Sequence, residues 1–164
     1  TIRGIVNHGM YVRYHHDVVG VNSRLDSIQA AVLNAKLPLL DGYNKTRQNA
    51  ARKYSSAFEG HKNIIAPSIC DICDCHVFHQ YTLRIIDADR NALMEHLLAK
   101  GIPCAIYYPI PLHSQKAYVD SRYKEEDFPV TNQLVKEVIS LPMHTELDDE
   151  QIKFITDSVL EFLK

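Results

Sequence analysis

Three stretches of this sequence carry side chains that could do chemistry. The first is Gly20-Val-Asn22-Ser-Arg24, a glycine, an amide and a guanidinium placed just before or within the first turn of an expected helix. Helix-start N–H groups, the positive dipole end and Arg24 would together suit a phosphate or carboxylate. The plainer reading is that Asn22 caps the helix and Arg24 is solvated. The second stretch is Tyr107-Tyr-Pro-Ile-Pro-Leu-His113, two phenols and an imidazole around a proline-stiffened loop. Such a loop suits recognition of a polar ligand, and equally suits aromatic packing with a surface histidine. The third is Cys70-x2-Cys73-x-Cys75-His76, four soft ligands within seven residues. Structural zinc usually joins two separated ligand pairs, so this spacing is too cramped and no metal is expected.

Cys104 and His113 could be imagined as nucleophile and base, but a thiol in an apolar run reads as inert packing. The four cysteines are read as reduced thiols, because a chain of this size needs no disulfide staples. No Gly-rich phosphate loop, His-Glu-x-x-His or nucleophile elbow is present.

Helices must position most of these groups. From Asn22 to Gly60 the chain reads as helix, started by a capping box of Ser23 and Asp26, with Leu25, Ile28, Val32 and Ala35 as its apolar stripe. Pro38 predicts a kink near Leu37, after which Tyr43, Arg47, Ala50, Tyr54 and Phe58 form a second stripe ended by Gly60. Val77 to Ile86 alternates as a strand, and Cys104 to Tyr108 suits a second one between prolines. Between them, Asp89 caps a helix carrying Leu93, Leu97 and Leu98, which Gly101 ends. Thr131 is read as the cap of a helix with Leu134, Val135 and Val138, and Ser140 to His144 as a short extended piece. The last helix has acidic residues 148–150 at its start and Ile152, Ile155, Val159 and Phe162 as its buried stripe. The elements together predict an α/β fold, a small, mainly antiparallel sheet covered by helices on one face.

The 164 residues are 46% hydrophobic, enough for a real core and too apolar for a disordered tail. With 23% charged residues and a net charge of −2, bulk electrostatics points to no nucleic acid and no anionic membrane. No apolar run approaches the ~20 residues a bilayer requires and no signal-peptide pattern is evident, so a cytoplasmic chain is the expectation.

Several ordered stretches carry a resemblance. Asn7-His-Gly9, the run from Tyr14 to Ala31, Lys36-Leu37, Phe78-His-Gln-Tyr-Thr-Leu-Arg84, Asp89-Arg90, the run from Gly101 to Gln115 and Ser140-Leu-Pro-Met-His144 resemble the DegT/DnrJ/EryC1/StrS sugar aminotransferases. They cover nearly the whole chain and fall where that family continues after its cofactor-bearing lysine. The resemblance implies the C-terminal small domain of the aspartate-aminotransferase (type I pyridoxal phosphate, PLP) fold. It divides the chain into 1–22, the tail of an upstream large domain with the cofactor-phosphate loop; 23–60, a long kinked linking helix; and 61–164, the small domain.

What the resemblance implies about function is a PLP-dependent enzyme of cell-surface polysaccharide biosynthesis. It moves an amino group, usually from glutamate, onto a keto group of a nucleotide-linked sugar, and it works as a homodimer with shared active sites. None of the ten lysines here sits in a matching cofactor-lysine motif, so the fragment alone is expected to be inactive. Asn22 matches the residue that reaches the neighbouring subunit's cofactor phosphate, which favours the anion reading of that stretch. His8 and Arg24 match positions near the substrate, and His113 matches the loop histidine. Tyr107 stands where many relatives have histidine, so a contact there survives as a hydroxyl and not as an imidazole. The wording Gly101-Ile-Pro-Cys-Ala leans towards relatives that aminate the 3-position of sugars, uronic acids included. The alternative is a non-catalytic binding or regulatory module that retains the small-domain fold.

Overall fold

The computed structural model describes residues 2–12, 15–23, 25–68 and 75–164. The chain divides into two compact units, Thr1–Asp41 and Gly42–Lys164. The first unit contains α1 (Ile2–Ile5), β1 (Met10–Val12), β2 (His15–His16) and α2 (Ser27–Lys36), with β1 and β2 paired antiparallel. A 3-10 turn over Leu37–Leu39 then leads into α3 (Leu40–Phe58).

The helix start and its stripe differ from expectation. Asp26, not Ser23, is the cap: its N–H donates to the Gln29 side chain at 3.2 Å, and α2 begins at Ser27. Ser23 is unavailable because its N–H donates to the Val6 carbonyl at 2.9 Å, which holds it in extended pairing. No residue of α2 is buried, and Ile28 is 80% exposed, so the apolar stripe of this helix lies open. The kink falls where expected. Pro38 sits at the start of the 3-10 turn, where its missing N–H breaks no helical bond.

In the second unit β3 (Ile64–Ile65), β4 (Tyr81–Ile85) and β5 (Val138–Leu141) form an antiparallel sheet in the order β3-β4-β5. Period-2 alternation puts Tyr81, Leu83 and Ile85 on one buried face, beside Ile139 and Leu141. That core is completed by Ala51, Tyr54 and Phe58 of α3, Leu93 and Leu97 of α4 (Arg90–Ala99), and Ile152, Ile155 and Val159 of α6 (Asp149–Phe162). Beside α4 and α6, α5 (Pro129–Glu137) packs against β4. The other face of the sheet is polar: Thr82 and Ser140 share a hydroxyl hydrogen bond at 2.8 Å, and Arg84 pairs with Glu137 at 2.8 Å. Among the described residues no helix is long and apolar enough to cross a membrane.

Three further elements are corrected. The first strand is shorter than its alternation suggests, because Phe78 takes φ +47° and turns its ring into the core. Cys104 to Tyr108 forms no strand but a single bridge, Ala105 with Ser140, since flanking prolines leave few ladder donors. The cap of α5 is Phe128, with Pro129 in the first turn and Thr131 inside the helix; Val138 already belongs to β5. The remaining caps hold. Asp89 accepts from the N–H groups of Asn91 and Ala92 at 2.9 and 3.0 Å. Asp148 accepts from Gln151 N–H at 2.8 Å, and Gly60 and Gly101 take positive φ.

Cys75 is disulfide-bonded, so the reading of four reduced thiols fails there. Cys70 and Cys73 themselves lie outside the described residues, and the metal reading of that cluster with them.

Candidate functional site

The first unit brings His8 and Asn22 together by backbone pairing. Asn7 and Asn22 are antiparallel bridge partners, flanked by His8 N–H to Val21 carbonyl at 3.0 Å and Val21 N–H to Ile5 carbonyl at 2.8 Å. Two glycines permit this approach. A Cβ on Gly20 would lie 2.1 Å from the Gly9 nitrogen, and one on Gly9, at φ +77°, only 1.8 Å from the Val18 carbonyl oxygen. The result presents His8 and Asn22, both exposed, from one clamped turn.

Asn22 is therefore neither a helix cap nor next to helix-start amides, as the first reading had it. The start of α2 is occupied by its own Asp26–Gln29 pair. What the turn offers an anion is side-chain amide and imidazole, not the helix dipole. Arg24 lies outside the described residues.

In the second unit Tyr107 and His113 line adjoining recesses. Tyr107 borders one of about 450 Å³ with Leu134 and Val135; His113 borders one of about 410 Å³ with Tyr118, Tyr123 and Phe128, and both recesses share Leu112 and Thr131. His113 stacks on Phe128 with ring centroids 4.3 Å apart, and its Nε2 is enclosed with no hydrogen-bond partner among the described residues. Half-exposed Tyr107 also borders a third recess, towards Cys104, Ser140 and His144. The Cys104 thiol donates to the Met94 carbonyl, and burial pushes its pKa up, which opposes a nucleophilic thiolate.

Two basic residues that sequence reasoning did not single out for a site hold this unit in shape. Arg90, buried, donates to the carbonyls of Val138 at 2.7 Å and Val135 at 3.2 Å, fastening the junction of α5 and β5. Arg47 donates to the carbonyls of Phe78 at 3.3 Å and Met143 at 3.1 Å. A hint existed for Arg90 in its place beside the capping Asp89; nothing in the spacing pointed to the targets of Arg47.

Residues 1–160 match the DegT/DnrJ/EryC1/StrS aminotransferase family. The chain belongs to that family. A UDP-2-acetamido-2-deoxy-3-oxo-D-glucuronate aminotransferase of Pseudomonas aeruginosa is 41% identical over 94% of this chain and 41% of its own length. A pleiotropic regulatory protein of Geobacillus stearothermophilus is 38% identical over 96% of this chain and 42% of its own. The crystal structure of DesV from S. venezuelae superposes with a TM-score of 0.88 at 34% identity, covering 99% of this chain and 43% of that one. The fold is thus that of the PLP aminotransferases, in its small-domain portion. The chain spans about two fifths of the length of the curated relatives it matches.

Whether the residues present fit PLP can be asked of the lysines. All are exposed at the surface except half-buried Lys100, which pairs with Glu161, and none lines any of the recesses described. An imine-forming lysine needs a desolvated pocket, so these lysines do not fit the reactive end of the cofactor.

Proposed function

We propose that this chain is the C-terminal part of a PLP-dependent aminotransferase that transfers an amino group, with glutamate as donor, to a keto group of a nucleotide-linked sugar. Residues 1–22 are its cofactor-phosphate loop and the tail of the large domain, 23–60 the linking helix and 61–164 the small domain. The 3-oxo sugar in the name of the Pseudomonas relative supports the 3-position as the one aminated. PLP, when bound, supplies an electron sink for breaking bonds at the carbon next to nitrogen. The residues of this chain bind and orient: Asn22 donates its amide to the cofactor phosphate of the neighbouring subunit in a cytoplasmic homodimer. His8, Arg24, Tyr107 and His113 hold the sugar substrate. The observation that carries the reading is the glycine-clamped turn that fixes exposed Asn22 beside His8 through backbone hydrogen bonds. The lysine that would carry the cofactor lies upstream, and the chain by itself turns nothing over.

The test is a chimera joining the upstream part of the Pseudomonas relative to this chain. It should bind PLP and aminate that relative's sugar, whereas the isolated chain should do neither. A hydrogen bond to a charged acceptor is worth about 1.5–3 kcal/mol, so Asn22→Ala in the chimera should weaken PLP retention about tenfold to a hundredfold. A folded chimera without PLP binding overturns the proposal. It would favour a regulatory module, the reading that the name of the Geobacillus relative supports.

A further inference from the structure

One face of α2 is apolar and open. Ile28, Ala31, Val32 and Ala35 recur at the spacing of a single helix face, and all four are exposed, Ile28 at 80% and Val32 at 52%. Between Asp26 and Lys36 the segment carries no charge at all. A contiguous apolar face of this kind marks an interaction surface.

The order of sizes along the face indicates what fits it. A second α2, turned end over end about a two-fold axis between Ala31 and Val32, sets its Ala35 against Ile28 and its Ala31 against Val32. A large side chain then meets a small one at every facing pair, the condition for interdigitation. A parallel copy in the same register would set Ile28 on Ile28 and Ala35 on Ala35, crowding one end of the seam and leaving a gap at the other. The antiparallel turn also brings Lys36 to the level of the partner's Ser27, one residue from the partner's Asp26, so the segment's one base meets its one acid. In the parallel arrangement each charge would face its like.

From this self-complementary order of size and charge, we infer that the α2 face docks on α2 of a second copy of this chain, antiparallel across a two-fold axis. The inference rests on the homodimer of the proposed function and names a surface that makes it. A ten-residue helix buries less than the ~1,200 Å² of a stable interface, so pairing of the chain by itself is weak and lost on dilution.

Sedimentation equilibrium over a range of concentrations should therefore show a reversible monomer–dimer equilibrium. Val32→Lys, which sets an unpaired ammonium against the partner's Ala31, should raise the dissociation constant at least about tenfold. Val32 is exposed in the single chain, so the variant should keep its helix content. Lys36→Glu leaves the apolar face intact and should weaken pairing about twofold to fivefold. Register is read by carbodiimide coupling in an equal mixture of ¹⁵N-labelled and unlabelled chain, where a Lys36–Asp26 amide joining one labelled and one unlabelled peptide is expected. A chain monomeric throughout, a dimer indifferent to both variants, or coupling confined to one isotopic species would overturn the inference. So would a chimera in which Val32→Lys lowers the melting temperature but leaves the dimer intact, because the upstream part then covers the face. Normal PLP binding by that chimera would leave the proposed function standing, whereas pairing through α2 in a chain whose chimera binds no PLP would mean the reverse.

Discussion

The two units are held by different forces. Gly42–Lys164 closes a side-chain core around β4, in which Tyr54, Tyr81, Leu83 and Leu97 are fully buried. In Thr1–Asp41 backbone-to-backbone bonds tie the chain together around Gly9 and Gly20, while Leu25, Ile28 and Val32 stay in solvent. Non-directional burial stabilises the one, and directional hydrogen bonds between closely approaching main chains shape the other. The contrast teaches that a residue's apolar character matters in the second unit and its absence of a side chain matters in the first.

The sharpest test compares Leu83→Ala with Ile28→Ala. Leu83 has no exposed surface, so truncating it should cost about 2–5 kcal/mol by lost transfer energy and cavity formation. Ile28, on the exposed stripe, should change stability by no more than about 0.5 kcal/mol. Urea unfolding of both variants measures the difference, and comparable losses would erase the distinction between the units.

Legibility in the sequence follows the same division. The α6 cap and stripe and the α3 stripe were readable because capping and a 3.6-residue period are local. The helix start at Ser27 was not, since Ser23 is taken by a bond to Val6, seventeen positions away. At β4 the alternation ran on through Val77, but one positive φ at Phe78 ended the strand without leaving a compositional trace. Of the site residues, the meeting of His8 with Asn22 needed a cue of close backbone approach; Gly9 and Gly20 provide it in retrospect.

Gly20→Ala probes the first unit on its own terms. The three atoms nearest the new Cβ are main-chain atoms, the Gly9 nitrogen, the His8 carbonyl carbon and the Ile5 oxygen, none of which can rotate away. The clamp must open. Amide exchange should accelerate at Val21 and Ser23, by about tenfold or more, as local opening becomes easier. The unfolding midpoint of the second unit should stay put. A global loss of stability instead would mean that the two units fold as one cooperative block.

The smallest expected effect lies on the polar face of the sheet and is read through pH. The Gln133 amide, and after it Arg84, hold the Glu137 carboxyl below the usual carboxylate range, against burial, which pushes it up. A depressed carboxyl pKa adds stability above the unfolded value of about 4.3, and that stability is lost as pH falls through the lower folded value. Glu137→Gln removes the charge and keeps one acceptor oxygen where the carboxylate uses two, one for Gln133 and one for Arg84. It should therefore be less stable than the wild type at pH 6 to 7, with the gap narrowing as the pH drops below about 4.3. Thermal midpoints of the two proteins at stepped pH give the answer. A gap that stays constant through the acid range would show that Glu137 acts by shape alone, leaving the hydrophobic core as the only term that separates the second unit from the first.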